Sequence, residues 1–364
     1  MSIRVLCITE DLDRPTAETF VGLQSAGIDV RVACPDGATN RSILEAAKIP
    51  LRKFHFRGQI DREAIRALRR ELIDQQYDIL HVFSNKSLQN GLIATRGLPT
   101  KIVAYRGIVG NVSFFSPVSW LRFLNPRIDR IICVADAIRD YFLKMRPAFL
   151  RMPDDRPVTI HKGHSLDWYT ATPASLVSAG IPQDAIKVVC VANYRPRKGI
   201  EFLVEAIGRL PEELNVHLLL IGQMDAPKLL RSIAASRQPK RVHRLGFRQD
   251  APSITAACDV FVLPSVKREG LSRSLIEAMA YGVAPVVTDC GGSPELVEQG
   301  VSGIVVPVRD AQALADAIEL LARDSQLRDS YGHAARERID SDFKIEKTIE
   351  QTIDLYTQLV TPQS

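Results

Sequence analysis

Short apolar runs alternate with stretches of helical period along most of the chain. Residues 3–9, 29–33, 79–83, 101–105 and 130–134 read as strands, and residues 17–26 and 62–74 between them carry apolar side chains at helical spacing. Strands separated by helices of this length pair in parallel through right-handed crossovers. Residues 1–165 therefore predict one Rossmann-like domain. Around residues 150–183 the pattern gives way to Pro, Gly, Ser and Thr, which places a hinge or linker at 166–185. A second alternating series follows, with strands at 186–191, 215–221, 241–246, 260–263, 284–288 and 303–306 and helices at 200–210, 274–281, 311–323 and 326–339. Residues 186–342 predict a second doubly wound domain. Ile345, Ile349, Ile353, Tyr356 and Leu359 then fall close to helical period, so 343–364 should hold a closing helix.

Composition agrees with two soluble domains: 364 residues, 46% hydrophobic and 24% charged, exceed what one core usually serves. Six cysteines, Cys7, Cys34, Cys133, Cys190, Cys258 and Cys290, are scattered through apolar runs without a CxxC pair or metal-ligand spacing. They point to a reducing, cytoplasmic setting. The opening run at residues 3–8 is too short for a secretory segment, and no apolar stretch has the length of a membrane span. The chain is thus expected neither to cross a membrane nor to be exported by that route. Net charge is +5, but residues 1–165 carry about +8 and the remainder about −3. The first half should face something anionic, and without a nucleic-acid motif a phospholipid surface or a phosphorylated acceptor is the expectation.

The stretch 265–288 carries the densest chemistry. Glu269 and Glu277 stand eight positions apart, the first before a helix and the second in it, so both carboxylates can flank one ligand. The backbone of Gly270, Leu271, Ser272 and Arg273 would offer N–H groups at the helix start, where the dipole favours a diphosphate. A carboxylate one turn on can accept from ribose hydroxyls. Ser274 and Glu277 also have capping-box spacing, which alone would explain Glu277. The segment follows a buried strand, hence sits at a strand's carboxyl end, where α/β folds bind ligands.

This region resembles the E-x7-E signature of the retaining glycosyltransferases of family GT4, and the likeness runs on through residues 277–287, 291–295 and 301–307. The resemblance implies an α/β GT-B fold, two facing Rossmann-like domains with a cleft between them, and a final helix that packs back on the first. It also implies that Glu269 contacts the transferred sugar and Glu277 the ribose. Residues 191–199 are similar to the family's phosphate-binding loop, in which an arginine and a lysine neutralise the donor diphosphate. Lys198 and Gly199 match; the arginine position is Asn193, and Arg195, in preference to Arg197, is expected to supply the charge.

The first domain departs further from the family. Residues 9–15 hold three acids and no glycine, so this loop either shapes an acceptor pocket in which Arg14 binds the acceptor, pairs its acids with Arg14, or is a plain polar connection. Asp11 and Asp13 form a D-x-D, but no metal site is expected there. His81 at a strand end is read as structural. Where many relatives have a histidine near the sugar this chain has Arg106, which either stabilises the leaving diphosphate or contacts an acceptor phosphate. Phe114, Phe115, Trp120 and Phe123, with Arg122 and Arg127, form either buried packing or a contact with a membrane interface or lipid-linked acceptor. Residues 160–167 resemble the family's hinge segment.

These features predict a metal-independent, cofactor-free transferase that moves a sugar from a nucleoside diphosphate sugar, with retention, to a carbohydrate or lipid-linked acceptor in cell-surface polysaccharide, lipopolysaccharide or glycolipid synthesis. It would act in the cytoplasm or peripherally on the inner membrane face, without nucleic acid. A silent sugar-nucleotide-binding protein and a nucleotide-sugar epimerase are the rival readings.

Overall fold

A computed structural model describes residues 2–145 and 152–361. The chain forms two compact units, residues 1–163 with 343–364, and 164–342. In the first, seven strands lie in the order β3-β2-β1-β4-β5-β6-β7: β1 (Arg4–Ile8), β2 (Asp29–Cys34), β3 (Leu51–Lys53), β4 (Ile79–Val82), β5 (Lys101–Arg106), β6 (Arg130–Cys133) and β7 (Pro157–Thr159). All pairings are parallel, with Leu6 in register with Arg31 on one side and Leu80 on the other. The strands are apolar runs because helices cover both faces of such a sheet.

The sequence missed β3 and β7. Each is three residues long at an edge of the sheet, Leu-Arg-Lys and Pro-Val-Thr, too short and too polar to stand out. One face of the sheet packs on the helix Arg14–Ser25 and on the chain's last helix, Ile345–Val360. Tyr356 is wholly buried there among Val5, Cys7, Ile79 and Phe20. The last helix is also tied by polar bonds: Thr348 Oγ1 accepts from Gly163 N–H at 2.8 Å and donates to the His161 carbonyl at 2.7 Å.

The second unit holds six parallel strands in the order β10-β9-β8-β11-β12-β13: β8 (Ile186–Val191), β9 (Val216–Ile221), β10 (Val242–Gly246), β11 (Val260–Leu263), β12 (Ala284–Thr288) and β13 (Ile304–Val306). Every residue of β9 and β11 is buried, and Leu203, Ile207, Leu314 and Ile318 of two flanking helices complete the core. Residues 166–185 belong to this unit instead of standing apart as a linker. Leu176 and Ile181 are buried, and Ala174 N–H donates to the Ser253 carbonyl at 2.9 Å. Leu150 and Arg151, where the broken pattern begins, lie outside the described residues. Among the described residues no helix is long and apolar enough to cross a membrane.

Candidate functional site

The central strands of the second unit, β8 and β11, end side by side, and the loops that leave them are built to touch. After β8 the chain makes a tight turn, Pro196–Lys198, and reaches Gly199 at φ +64°. A side chain there would be strained, and its Cβ would lie 2.1 Å from the Pro264 carbonyl oxygen, so only glycine allows the approach. Val266 N–H donates to the Arg197 carbonyl at 2.8 Å, and Arg197 Nη1 donates to the Arg268 carbonyl at 3.2 Å.

This double tie sets Lys198 against Glu269, although 71 positions separate them. Lys198 Nζ lies 2.8 Å from Glu269 Oε2, and Ser265 Oγ donates to the same oxygen at 2.5 Å. Gly291, at φ +59°, backs the arrangement: a Cβ there would come within 2.0 Å of the Glu269 carbonyl oxygen. Two residues that neighbouring loops bring together thus form a largely buried ion pair held by a hydroxyl.

Beyond Glu269 the chain turns through buried Gly270 into the helix Arg273–Ala280. Its N-cap is Ser272, whose side chain bonds no first-turn N–H and instead meets Ser274 Oγ at 3.2 Å. The capping box between Ser274 and Glu277 is therefore absent, because the helix starts two residues before Ser274 could act as cap and Glu277 falls past the N3 position. The helix start is left without a side-chain acceptor, with its dipole and N–H groups available to an anion. Glu277 is half-buried; burial pushes its carboxyl above the usual carboxylate range against the opposing pull of Arg273.

Glu269, Lys198, Ser272, Arg273 and Glu277 line one cavity of about 600 Å³, together with Asn193 and Leu271. Arg195 does not line it; it is an exposed residue at the start of the tight turn. The guanidinium groups that do are those of Arg273, which has no ion pair among the described residues, and Arg248, bound through two hydrogen bonds of 2.6 and 2.7 Å to Asp250. Asn193 lines the cavity with its side-chain oxygen accepting from Gln223 N–H at 3.0 Å, so it ties the β8 and β9 loops at the position where the family pattern has an arginine. Phe247, 75% exposed, also lines the cavity. Sequence reasoning overlooked Phe247 and Arg248, although they follow a predicted strand at its carboxyl end.

Arg106, Arg14 and Asp13 each have a partner in the first unit. Arg106 is buried at the end of β5: Nε donates to the Ile108 carbonyl at 3.0 Å, Nη2 donates to the Gly110 carbonyl, and the guanidinium lies 4.8 Å from the Phe123 ring centre. Two of its N–H groups thus hold the loop that follows β5. Arg14 pairs with Glu18 at 3.6 Å on the surface of its helix. Asp13 caps that helix, accepting from Thr16 N–H at 3.1 Å, and binds Lys162 at 2.6 Å. Burial would raise the Asp13 carboxyl, but the Lys162 charge and its hydrogen bonds outweigh this and hold it below its ordinary value.

His81 Nδ1 meets the Tyr356 hydroxyl at 2.7 Å, and burial depresses its pKa to about 3, so the ring is neutral and structural. The aromatic stretch divides. Phe123 is buried and Phe114 packs on Trp120 at 5.6 Å, whereas Phe115 is 93% exposed beside exposed Val118 and Leu121.

The sequence profile of glycosyl transferases group 1 matches residues 185–324, and that of Glycosyltransferase Family 4 matches residues 16–168. An alpha-maltose-1-phosphate synthase of Mycolicibacterium smegmatis is 31% identical over 261 residues, 66% of this chain and 66% of its own, so the match spans slightly under two thirds of that relative. A phosphatidyl-myo-inositol mannosyltransferase of Mycobacterium leprae is 28% identical over 329 residues, 87% of this chain and 85% of its own. The crystal structure of the Anabaena protein HepE with UDP and glucose superimposes with a TM-score of 0.78 over 98% of this chain and 100% of that one, at 21% identity. The two matched profiles, which together span most of the chain, and two parallel sheets of this topology make the chain a member of glycosyltransferase family 4 with the GT-B fold.

Proposed function

We propose that the chain transfers a glycosyl group from a nucleoside diphosphate sugar, with retention of configuration and without a metal ion, to an acceptor in polysaccharide, lipopolysaccharide or glycolipid synthesis. The observation that carries this reading is the convergence of Lys198, Glu269, Glu277 and an uncapped helix start on one cavity. The first-turn N–H groups and Lys198 would receive the diphosphate and stabilise charge as it builds on the leaving group. Glu277 would accept from ribose hydroxyls and Glu269 would orient the sugar. Retention rests on the E-x7-E likeness, and metal independence on the cations that line the cavity. Relatives named for maltose-1-phosphate synthesis and for mannosyl transfer to phosphatidyl-myo-inositol support the reaction class, and the UDP-bound HepE structure makes uridine the base to test first.

The acceptor is assigned to the first unit, whose excess positive charge and bare Phe115, Val118 and Leu121 suit a lipid-linked acceptor at an anionic membrane face. Six buried free cysteines suit the cytoplasm. A thermal-shift screen of UDP, GDP and ADP sugars should raise the melting temperature with one of them. Nucleotide release from that donor, abolished by Glu269→Ala, should then separate an enzyme from a silent binding protein. A transition unmoved by every sugar nucleotide would refute the donor assignment.

A further inference from the structure

Glu269 is held by the hydroxyl of Ser265, whose own backbone is held by the hydroxyl of Thr288, and neither residue lines the cavity. Ser265 and Thr288 are each 0% exposed. Ser265 Oγ donates to Glu269 Oε2 at 2.5 Å, and Thr288 Oγ1, at the end of β12, donates to the Ser265 carbonyl at 2.5 Å. A buried hydroxyl is costly unless bonded, and here the Ser265 hydroxyl spends its hydrogen on one carboxylate oxygen while the Thr288 hydroxyl fixes the Ser265 backbone from which that bond is made. Lys198 Nζ reaches that same Oε2, so both donors hold one oxygen of a carboxylate whose residue lines the cavity.

We infer that Ser265, braced by Thr288, is a positioning residue that keeps Glu269 oriented when Lys198 turns from the carboxylate to the phosphates of an incoming sugar nucleotide. The inference rests on the donor reading above and adds a division of labour to it. Lys198 has three N–H groups and a flexible stem, so it can shift between two anions. Ser265 has one O–H on a short side chain, packed away from the ligand, and its bond to Glu269 does not compete with phosphate. Without that bond, Glu269 would lose its second anchor at the moment its first is drawn away.

The test uses the full chain with Ser265→Ala, Ser265→Thr and Thr288→Val. Calorimetry with UDP reads phosphate binding, release of UDP from UDP-glucose reads turnover, and a crystal structure of Ser265→Ala with UDP bound reads the carboxylate. Ser265→Ala is expected to bind UDP within about twofold of the parent while turnover falls by on the order of tenfold to 100-fold, the scale of a misplaced reacting group. Ser265→Thr should recover part of the loss, Thr288→Val should lose less than Ser265→Ala, and Glu269 should leave its place in the Ser265→Ala crystal. Glu269 unmoved in that crystal, or UDP affinity lost together with turnover, overturns the inference. A parent protein that neither binds UDP nor turns over UDP-glucose overturns the donor reading, and with it the inference that rests on it.

Discussion

In the first unit, the helix after β1 begins under Asp13, which accepts from Thr16 N–H, and the helix after β4 begins under Ser84 in a capping box with Ser87. In the second unit, β8 and β11 occupy the same places in the strand order, yet the helices that follow them begin at Gly199 and Ser272 with no side-chain cap. The second unit does not lack capping residues, since Asp310 and Asp324 cap helices elsewhere in it. A helix start closed by a carboxylate is stabilised and repels anions, whereas one left open costs stability and attracts them. The two units have thus settled the same positions in opposite ways, one closed by side chains and one left open, as the proposed donor site requires.

The largest effect that probes this contrast lies in the open unit. Lys198→Met removes the cation beside Glu269 and should lower turnover by about two to three orders of magnitude, as removal of a group that stabilises developing charge does elsewhere. Steady-state kinetics with the donor found by thermal shift would check it, and an undiminished kcat would break the comparison. In the closed unit, Asp13→Ala removes a helix cap and leaves Lys162 without its carboxylate. It should cost about 2–4 kcal/mol in denaturant unfolding of the chain, while nucleotide affinity stays within about twofold. A loss of nucleotide affinity would mean that the acidic loop has a ligand role after all.

A smaller change converts one kind of helix start into the other. Ser272→Asp should cap the helix Arg273–Ala280 as Asp13 caps its own, raising thermal stability slightly and weakening UDP binding by roughly tenfold. If affinity were unchanged while stability rose, the open helix start would not be where the diphosphate lies.

The fold was easy to read because buried parallel strands are apolar on both faces: Val216–Ile221 and Val260–Leu263 need no partner to be recognised. Edge strands of three residues gave no such signal. The site was legible in part. Glu269, Glu277 and Lys198 carry a local pattern, but the bond between Lys198 and Glu269 spans 71 positions and depends on Gly199 passing beside Pro264, which no spacing rule expresses. The capping-box reading of Glu277 failed because Ser272 and Ser274 both qualify as caps by type, and only the backbone decides where the helix starts. The bonds of Arg106 were illegible for a related reason: no sequence pattern shows that the carbonyls of Ile108 and Gly110 claim two of its N–H groups.

Glu277 allows the subtlest test, since burial strains the same carboxylate that ligand binding would use. Its folded pKa lies above the unfolded value, so the folded chain binds more protons at this position. The sign follows: the contribution of Glu277 to stability is fully present below the unfolded pKa of about 4.3 and is lost as pH rises through the folded value. Glu277→Gln carries no such charge. At pH 7 it should unfold at the parent's temperature or about 1–3 °C above it, and the difference should shrink toward pH 4. Its affinity for a uridine diphosphate sugar should nevertheless fall by about tenfold, because hydrogen bonds from ribose hydroxyls to a carboxylate are stronger than those to an amide. A variant that is less stable than the parent at pH 7, with affinity intact, would return Glu277 to a structural role and leave the open helix start without its second carboxylate.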